Sequence, residues 1–206
     1  MVEGDPKLGW MRHAVLVAVP VLVAVLGACA SDGGGGASLR SAPTETTGGP
    51  ATTAEPVEDY VIEAAEFSNI QDMTPVRGFF IDNRLGYLDE AIAVAEDPDG
   101  GTYPVGTIIQ LVPQEAMVKR APGFDPASND WEFFSLDVTA EGTEILTRGG
   151  SEVVNRFGGS CSGCHGVAEP KFDFVCEDDN GCEPLPIGED VIVGIQLADP
   201  RPRSTA

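Results

Sequence analysis

Cys161-Ser162-Gly163-Cys164-His165 restricts this chain more than any other stretch of it. The pattern C-x-x-C-H is the one used for covalent c-type haem attachment. Two thiols one helical turn apart can each form a thioether to a haem vinyl group. The adjacent histidine then turns its imidazole onto the iron as the proximal ligand. A chain carrying this motif is expected to bind one covalent haem c through Cys161, Cys164 and His165. The expected chemistry is redox or gas-ligand chemistry, because the cofactor supplies the reactivity and the protein tunes it.

Two other uses of the thiols compete. A thioredoxin-like redox pair sits in a βαβ setting, and nothing around Cys161 reads that way. A four-thiolate zinc site would recruit Cys176 and Cys182, but an exported, disulfide-permissive context disfavours four reduced thiols. Cys176 and Cys182 bracket the polar turn Glu177-Asp178-Asp179-Asn180-Gly181, which predicts a disulfide closing a short loop.

Residues 1–28 read as an export signal. Ala14 to Ala28 is an apolar run of about fifteen residues, too short for a membrane span and right for a signal core. It ends in Leu26-Gly27-Ala28-Cys29, which resembles the lipobox of bacterial lipoproteins. That resemblance implies cleavage before Cys29 and acylation of its thiol. The alternative is an ordinary secretory signal with an unrelated cysteine. Arg12 and His13 supply a positive n-region if translation begins at Met11.

Residues 29–56 follow as an acylated cysteine and a Gly/Thr/Pro-rich tether, poor in anything that forms a core. The tether would reach roughly 25–30 Å, enough to hold a domain clear of a lipid surface. The chain is thus expected to be exported and lipid-anchored to a bacterial membrane, on its periplasmic face or at the cell surface.

Residues 57–206 remain as one haem-binding cytochrome domain, long enough to enclose a pocket. The formal charge of the full chain is −21. Removing residues 1–28 takes away Glu3, Asp5, Lys7 and Arg12 and leaves that value unchanged. Such a field excludes nucleic acid as a partner and could steer a basic redox protein. Simple solubility of an exported protein is the plainer explanation.

The expected fold class is α+β: a mainly antiparallel β-sheet with a few flanking helices, covering one c-type haem. Val76 to Ile81 reads as a strand. Apolar residues at helical spacing predict a helix from Asn83 to Glu96, stopped by Asp97-Pro98-Asp99-Gly100-Gly101. Thr107–Val112, Glu115–Arg120, Trp131–Val138 and Thr143–Arg148 read as further strands with tight connections. The haem motif is expected on a short helix, with a last helix over 190–198.

His13 leaves with the signal, so His165 is the one histidine kept and bis-histidine ligation within a chain is excluded. No methionine follows His165. A sixth ligand would come from upstream, from Met73, Met117 or a lysine. Without one, the iron is five-coordinate with an open face, the arrangement that the late position of the motif favours.

The order of strand, helix, sheet and C-terminal C-x-x-C-H resembles the cytochrome P-460 family and its relatives, the beta-type cytochromes c-prime. The matching residues run from Phe79-Phe80-Ile81-Asp82 to Tyr103-Pro104-Val105-Gly106-Thr107-Ile108-Ile109. They continue through Glu115-Ala116-Met117-Val118-Lys119 and Trp131-Glu132-Phe133-Phe134. Cys161 to His165 and Asp173-Phe174-Val175 complete them. The resemblance implies a sheet covering the haem, a homodimer, and a pocket for hydroxylamine, nitric oxide or related small molecules.

The P-460 cytochromes cross-link a lysine to the haem, and that position falls here on Leu111, which cannot form the bond. The family's distal carboxylate falls on Glu115. Glu115, Met117 and Lys119 alternate onto one strand face. If that face looks at the haem, Glu115 is a distal proton acceptor, Met117 ligates or packs, and Lys119 is a displaced cross-link candidate. A solvated strand face is the alternative. Arg148 and Arg156 are candidates for pairing with haem propionates, and Trp131, Phe133 and Phe134 for core and pocket wall.

Three functions follow. The first is a membrane-anchored mono-haem cytochrome that binds small gas ligands or transfers electrons. The second is an oxidoreductase acting on hydroxylamine, nitrogen oxides or peroxide. The third is a structural surface lipoprotein whose C-x-x-C is a disulfide. Leu111 weighs against the second.

Overall fold

A computed structural model describes residues 57–155 and 158–204. The signal, Cys29, the tether and Arg156 lie outside the described residues. Six strands form one antiparallel sheet in chain order: β1 (Thr74–Val76), β2 (Phe79–Asn83), β3 (Thr107–Gln110), β4 (Glu115–Lys119), β5 (Trp131–Thr139) and β6 (Gly142–Gly149). Helix α1 (Leu88–Glu96) follows β2; α2 (Cys161–His165) and α3 (Glu189–Leu197) follow the sheet. The fold is α+β and mainly antiparallel sheet, as the spacing of apolar runs predicts.

Two local expectations are corrected. The strand expected over 76–81 is a hairpin. Arg77 adopts a left-handed φ of 49°, the chain folds back at Gly78, and Val76 pairs with Phe79. The helix expected from Asn83 starts at Leu88. Asn83 Oδ1 accepts hydrogen bonds from the Leu85 N–H (2.8 Å) and the Tyr87 N–H (3.1 Å). That side chain holds 83–87 as a turn, so Leu85 falls outside the helix despite its helical spacing.

Alternation along the strands gives the sheet two apolar faces. One gathers Phe79, Ile81, Ile109, Met117, Trp131 and Phe133 with Ala91 and Ala95 of α1 and with Val153 and Val175. The other gathers Ile108, Ala116, Val118, Phe134 and Leu136 with Ile62, Phe67, Ile70 and Met73. Cover on both sides explains why β3 is buried at every position and β4 at all but its first. Each large side chain so buried contributes roughly 1.5–3 kcal/mol.

The C-terminal segment is fastened to the second face. Asp199 accepts from the Ile70 N–H at 2.9 Å and pairs with Arg201 at 2.6 Å. From α3, Gln196 Nε2 donates to the carbonyls of Gly78 and Leu111, each at 2.9 Å. No helix among the described residues is long and apolar enough to cross a membrane.

Candidate functional site

Helix α2 is short, and local bonds define it. Ser160 Oγ accepts from the Gly163 N–H (3.1 Å), capping the first turn. The Cys161 N–H donates to the Val153 carbonyl (3.0 Å), and Val154 bridges to Ser160, which ties the helix start to the loop before it. At Gly166 a Cβ would stand 2.8 Å from the Ser162 carbonyl oxygen and 3.4 Å from the Phe174 ring. Glycine there lets the segment around Phe174 close over the histidine.

His165 Nδ1 lies 2.9 Å from the Phe174 carbonyl oxygen. A carbonyl only accepts, which assigns the ring proton to Nδ1 and leaves the lone pair on Nε2. Burial holds the imidazole below its ordinary pKa, against the pull of that carbonyl, so the ring is neutral near pH 7. A neutral imidazole oriented through Nδ1 is what a metal-ligating histidine requires. Its ring packs on Phe133, with centroids 5.2 Å apart.

Beside α2 opens a cavity of about 940 Å³. Cys161, Cys164 and His165 line it, and so do Leu111, Glu115 and Met117 from the sheet. Its size is that of a cofactor site. Burial first, and the Glu115 carboxylate second, push the Cys161 thiol up to about 11. That direction is opposite to the lowered thiol pKa on which a thioredoxin-like nucleophile relies. Cys161 and Cys164 carry free thiols. Cys176 and Cys182 form the expected disulfide, with Cα atoms 5.7 Å apart, so a four-thiolate zinc site is not assembled.

The strand face Glu115–Met117–Lys119 divides. Glu115 and Met117 line the cavity, whereas Lys119 does not. Its Nζ donates to Asp173 Oδ1 and to the Asn129 carbonyl, each at 2.7 Å, and sits 5.1 Å over the Trp131 ring. Those bonds occupy the amine that the displaced cross-link would need. Met73 lies in the opposite apolar face, so it cannot serve as the sixth ligand. Arg148 is corrected as well: it does not line the cavity, but pairs with Glu132 at 2.6 Å and stacks on Phe134.

Two cations that the sequence did not single out line the cavity instead, Arg77 and Lys171. Arg77 arrives through the β1–β2 hairpin. Lys171 arrives through a close approach at Gly100, where a Cβ would stand 2.2 Å from the Lys171 carbonyl oxygen. The Gly100-Gly101 pair, expected as a helix stop, was the available signal; the Gly101 N–H donates to that same carbonyl at 2.8 Å.

No protein-family model, curated protein or solved structure matches this chain. What the site can do is therefore read from its own residues.

Proposed function

We propose that this chain is an exported mono-haem c-type cytochrome, of the kind represented by the P-460 cytochromes and the beta-type cytochromes c-prime, lipid-anchored through Cys29. The observation that carries the reading is the Nδ1 bond of His165 to the Phe174 carbonyl, at the wall of a cofactor-sized cavity that both motif thiols also line. Cys161 and Cys164 would hold the haem covalently, and His165 would ligate the iron through Nε2. The residues present fit that group: two free thiols, an oriented neutral imidazole and a wall of Phe79, Ile109, Leu111 and Phe133. When bound, the haem supplies reversible ligand binding and one-electron chemistry at the iron.

Around it, Phe133 and Leu111 exclude water, and Glu115 offers a carboxylate beside Cys161 to accept a proton from a bound small molecule. Met117 packs in the cavity wall and, with Lys171, is a sixth-ligand candidate left on the cavity face. The family's cross-link position, Leu111, lines the cavity without an amine. That favours a gas-binding or electron-transfer cytochrome over an enzyme that oxidises hydroxylamine.

Intact-mass analysis after expression with a c-type maturation system tests the reading. One haem added, lost in Cys161→Ala/Cys164→Ala, is expected. The ferrous protein should be five-coordinate and high-spin and should bind nitric oxide. A low-spin spectrum lost in Met117→Ala would replace the open face with methionine ligation, and a protein with no added mass would remove the cytochrome altogether.

A further inference from the structure

We infer that the buried Lys119–Asp173 pair is a positioning device for His165: it fixes the Phe174 carbonyl that holds Nδ1, and so tunes the ligand strength of Nε2. The inference rests on the haem reading above and goes beyond it to the residues that set the iron's properties.

Asp173 and Phe174 are consecutive, neither is glycine, and both take left-handed backbone angles, φ 51° and 66°. Such angles cost on the order of 1 kcal/mol or more each and persist where the surroundings over-determine them. Here the surroundings converge on Asp173. Its Oδ1 accepts from Lys119 Nζ (2.7 Å) and from Asn129 Nδ2, and its Oδ2 accepts from the Tyr103 N–H (2.8 Å). Its carbonyl accepts from Trp131 Nε1 at 2.6 Å. The next carbonyl along the chain is the one 2.9 Å from His165 Nδ1. Lys119 also ties down a second left-handed pair, Asn129 and Asp130 (φ 52° and 60°), through the Asn129 carbonyl.

Stability alone does not account for a lysine and an aspartate there. A buried ion pair adds little beyond what a well-packed apolar pair would, because desolvation offsets the attraction. An apolar pair beside Trp131 would fill the same space but would not make the Asp173 side-chain bonds to Lys119, Asn129 and the Tyr103 N–H, which hold the left-handed turn at 173–174 and so direct the Phe174 carbonyl. The direction of that carbonyl sets the Nδ1–H bond, and through it the electron density that Nε2 presents to a metal.

The test compares haem-loaded wild type with Lys119→Met, Asp173→Asn and, as a control, Glu132→Gln, which breaks a buried ion-pair node on the opposite face. The readouts are haem mass, reduction potential, the iron–histidine stretching frequency of the ferrous protein, and carbon monoxide affinity. Lys119→Met and Asp173→Asn should keep the covalent haem, shift potential and frequency, and change affinity by about tenfold. Lys119→Arg should return part of the shift. Glu132→Gln should move none of these, however far its melting temperature falls.

Wild-type potential and frequency in both pair variants overturn the inference, and so does an equal shift in Glu132→Gln. If Asp173→Asn does not fold, Lys119→Met and Lys119→Arg decide. A wild type lacking the haem mass is a separate failure, which removes the haem reading and this inference with it.

Discussion

On one face of the sheet Phe134 meets Phe67 edge-on at 5.1 Å, inside a closed cluster that includes Ile62, Ile70, Val118 and Leu136. On the other, Phe133, one residue earlier, packs on His165 at the edge of the large cavity. Both faces are written by alternate residues of the same strands, so propensity and register cannot distinguish them. The distinction lies in what covers each face. The closed face receives the N-terminal segment and the C-terminal tail, and its side chains form one buried cluster. The cavity face is covered by α1, by the chain around α2 and by the disulfide loop, and its lining gives up contacts on one side. The site is thus held at a cost to packing that the closed face offsets.

The comparison is tested most strongly by Phe67→Ala against Phe133→Ala. Phe67→Ala should lower stability by about 3–5 kcal/mol in denaturant unfolding while leaving the optical spectrum of a haem-loaded protein in place. Phe133→Ala should move that spectrum and the nitric oxide dissociation rate. Equal spectral shifts from the two would mean that the faces are not separate.

Next in size comes the staple on the cavity side. The Cys176–Cys182 loop lines the cavity, and opening a loop this short costs about 2 kcal/mol. Cys176→Ser/Cys182→Ser should therefore lower the urea midpoint by an amount of that order and leave the haem attachment proposed at Cys161 and Cys164 unaffected. Unchanged stability would show that the loop is held by its other bonds, such as the Asn180 side chain to the Val175 carbonyl at 2.9 Å.

A smaller difference concerns the direction in which each face responds to pH. At Asp199, burial raises the carboxyl, but Arg201 and the Ile70 N–H outweigh it and hold the group below the ordinary carboxylate range. Stability from a lowered carboxyl is present above the unfolded value and is lost as pH falls through the folded one. At Asp173 burial is the larger influence, and it holds the carboxyl above its ordinary range against Lys119. Stability from a raised carboxyl is full below the unfolded value and is lost as pH rises through the folded one. Asp199→Asn should therefore flatten the acid limb of a stability–pH curve, and Asp173→Asn should remove a decline on the rising side. Parallel curves for the two variants would erase the contrast.

Much of the cavity wall was legible because chemistry or period dictated it. The motif thiols and His165 were named by spacing. Glu115 and Met117 followed from strand alternation and line the cavity, and Cys176–Cys182 followed from the polar turn between them. Lys119 obeyed the same alternation yet left the cavity, because Asp173 lies far along the chain and their pairing leaves no local trace. Arg77 and Lys171 were missed for a related reason. A left-handed arginine in a hairpin and a backbone approach at Gly100 bring them to the rim, and neither produces a periodic pattern. The fold was misjudged where side chains overrode spacing, as when Asn83 captured the N–H groups that would have opened α1.

The smallest effect expected is at the cavity rim, where Arg77 joins three segments. Its Nε donates to Glu177 Oε2 at 2.8 Å, inside the disulfide loop, and its Nη1 donates to the Ala95 carbonyl at the end of α1 at 2.7 Å. The arginine itself sits in the β1–β2 turn, and its side chain is 48% exposed. An exposed pair of this kind contributes less than about 1 kcal/mol, since water and salt screen it and two long side chains must be ordered. Arg77→Ala should therefore barely change the unfolding midpoint while speeding ligand exchange at the cavity, because three rim segments lose their shared tie. About 1 M salt shrinks the screening length to roughly 3 Å and should bring wild-type exchange toward the variant's rate. A stability loss of several kcal/mol, or exchange indifferent to both salt and substitution, would place Arg77 in the packed body of the protein rather than at the mouth of its site.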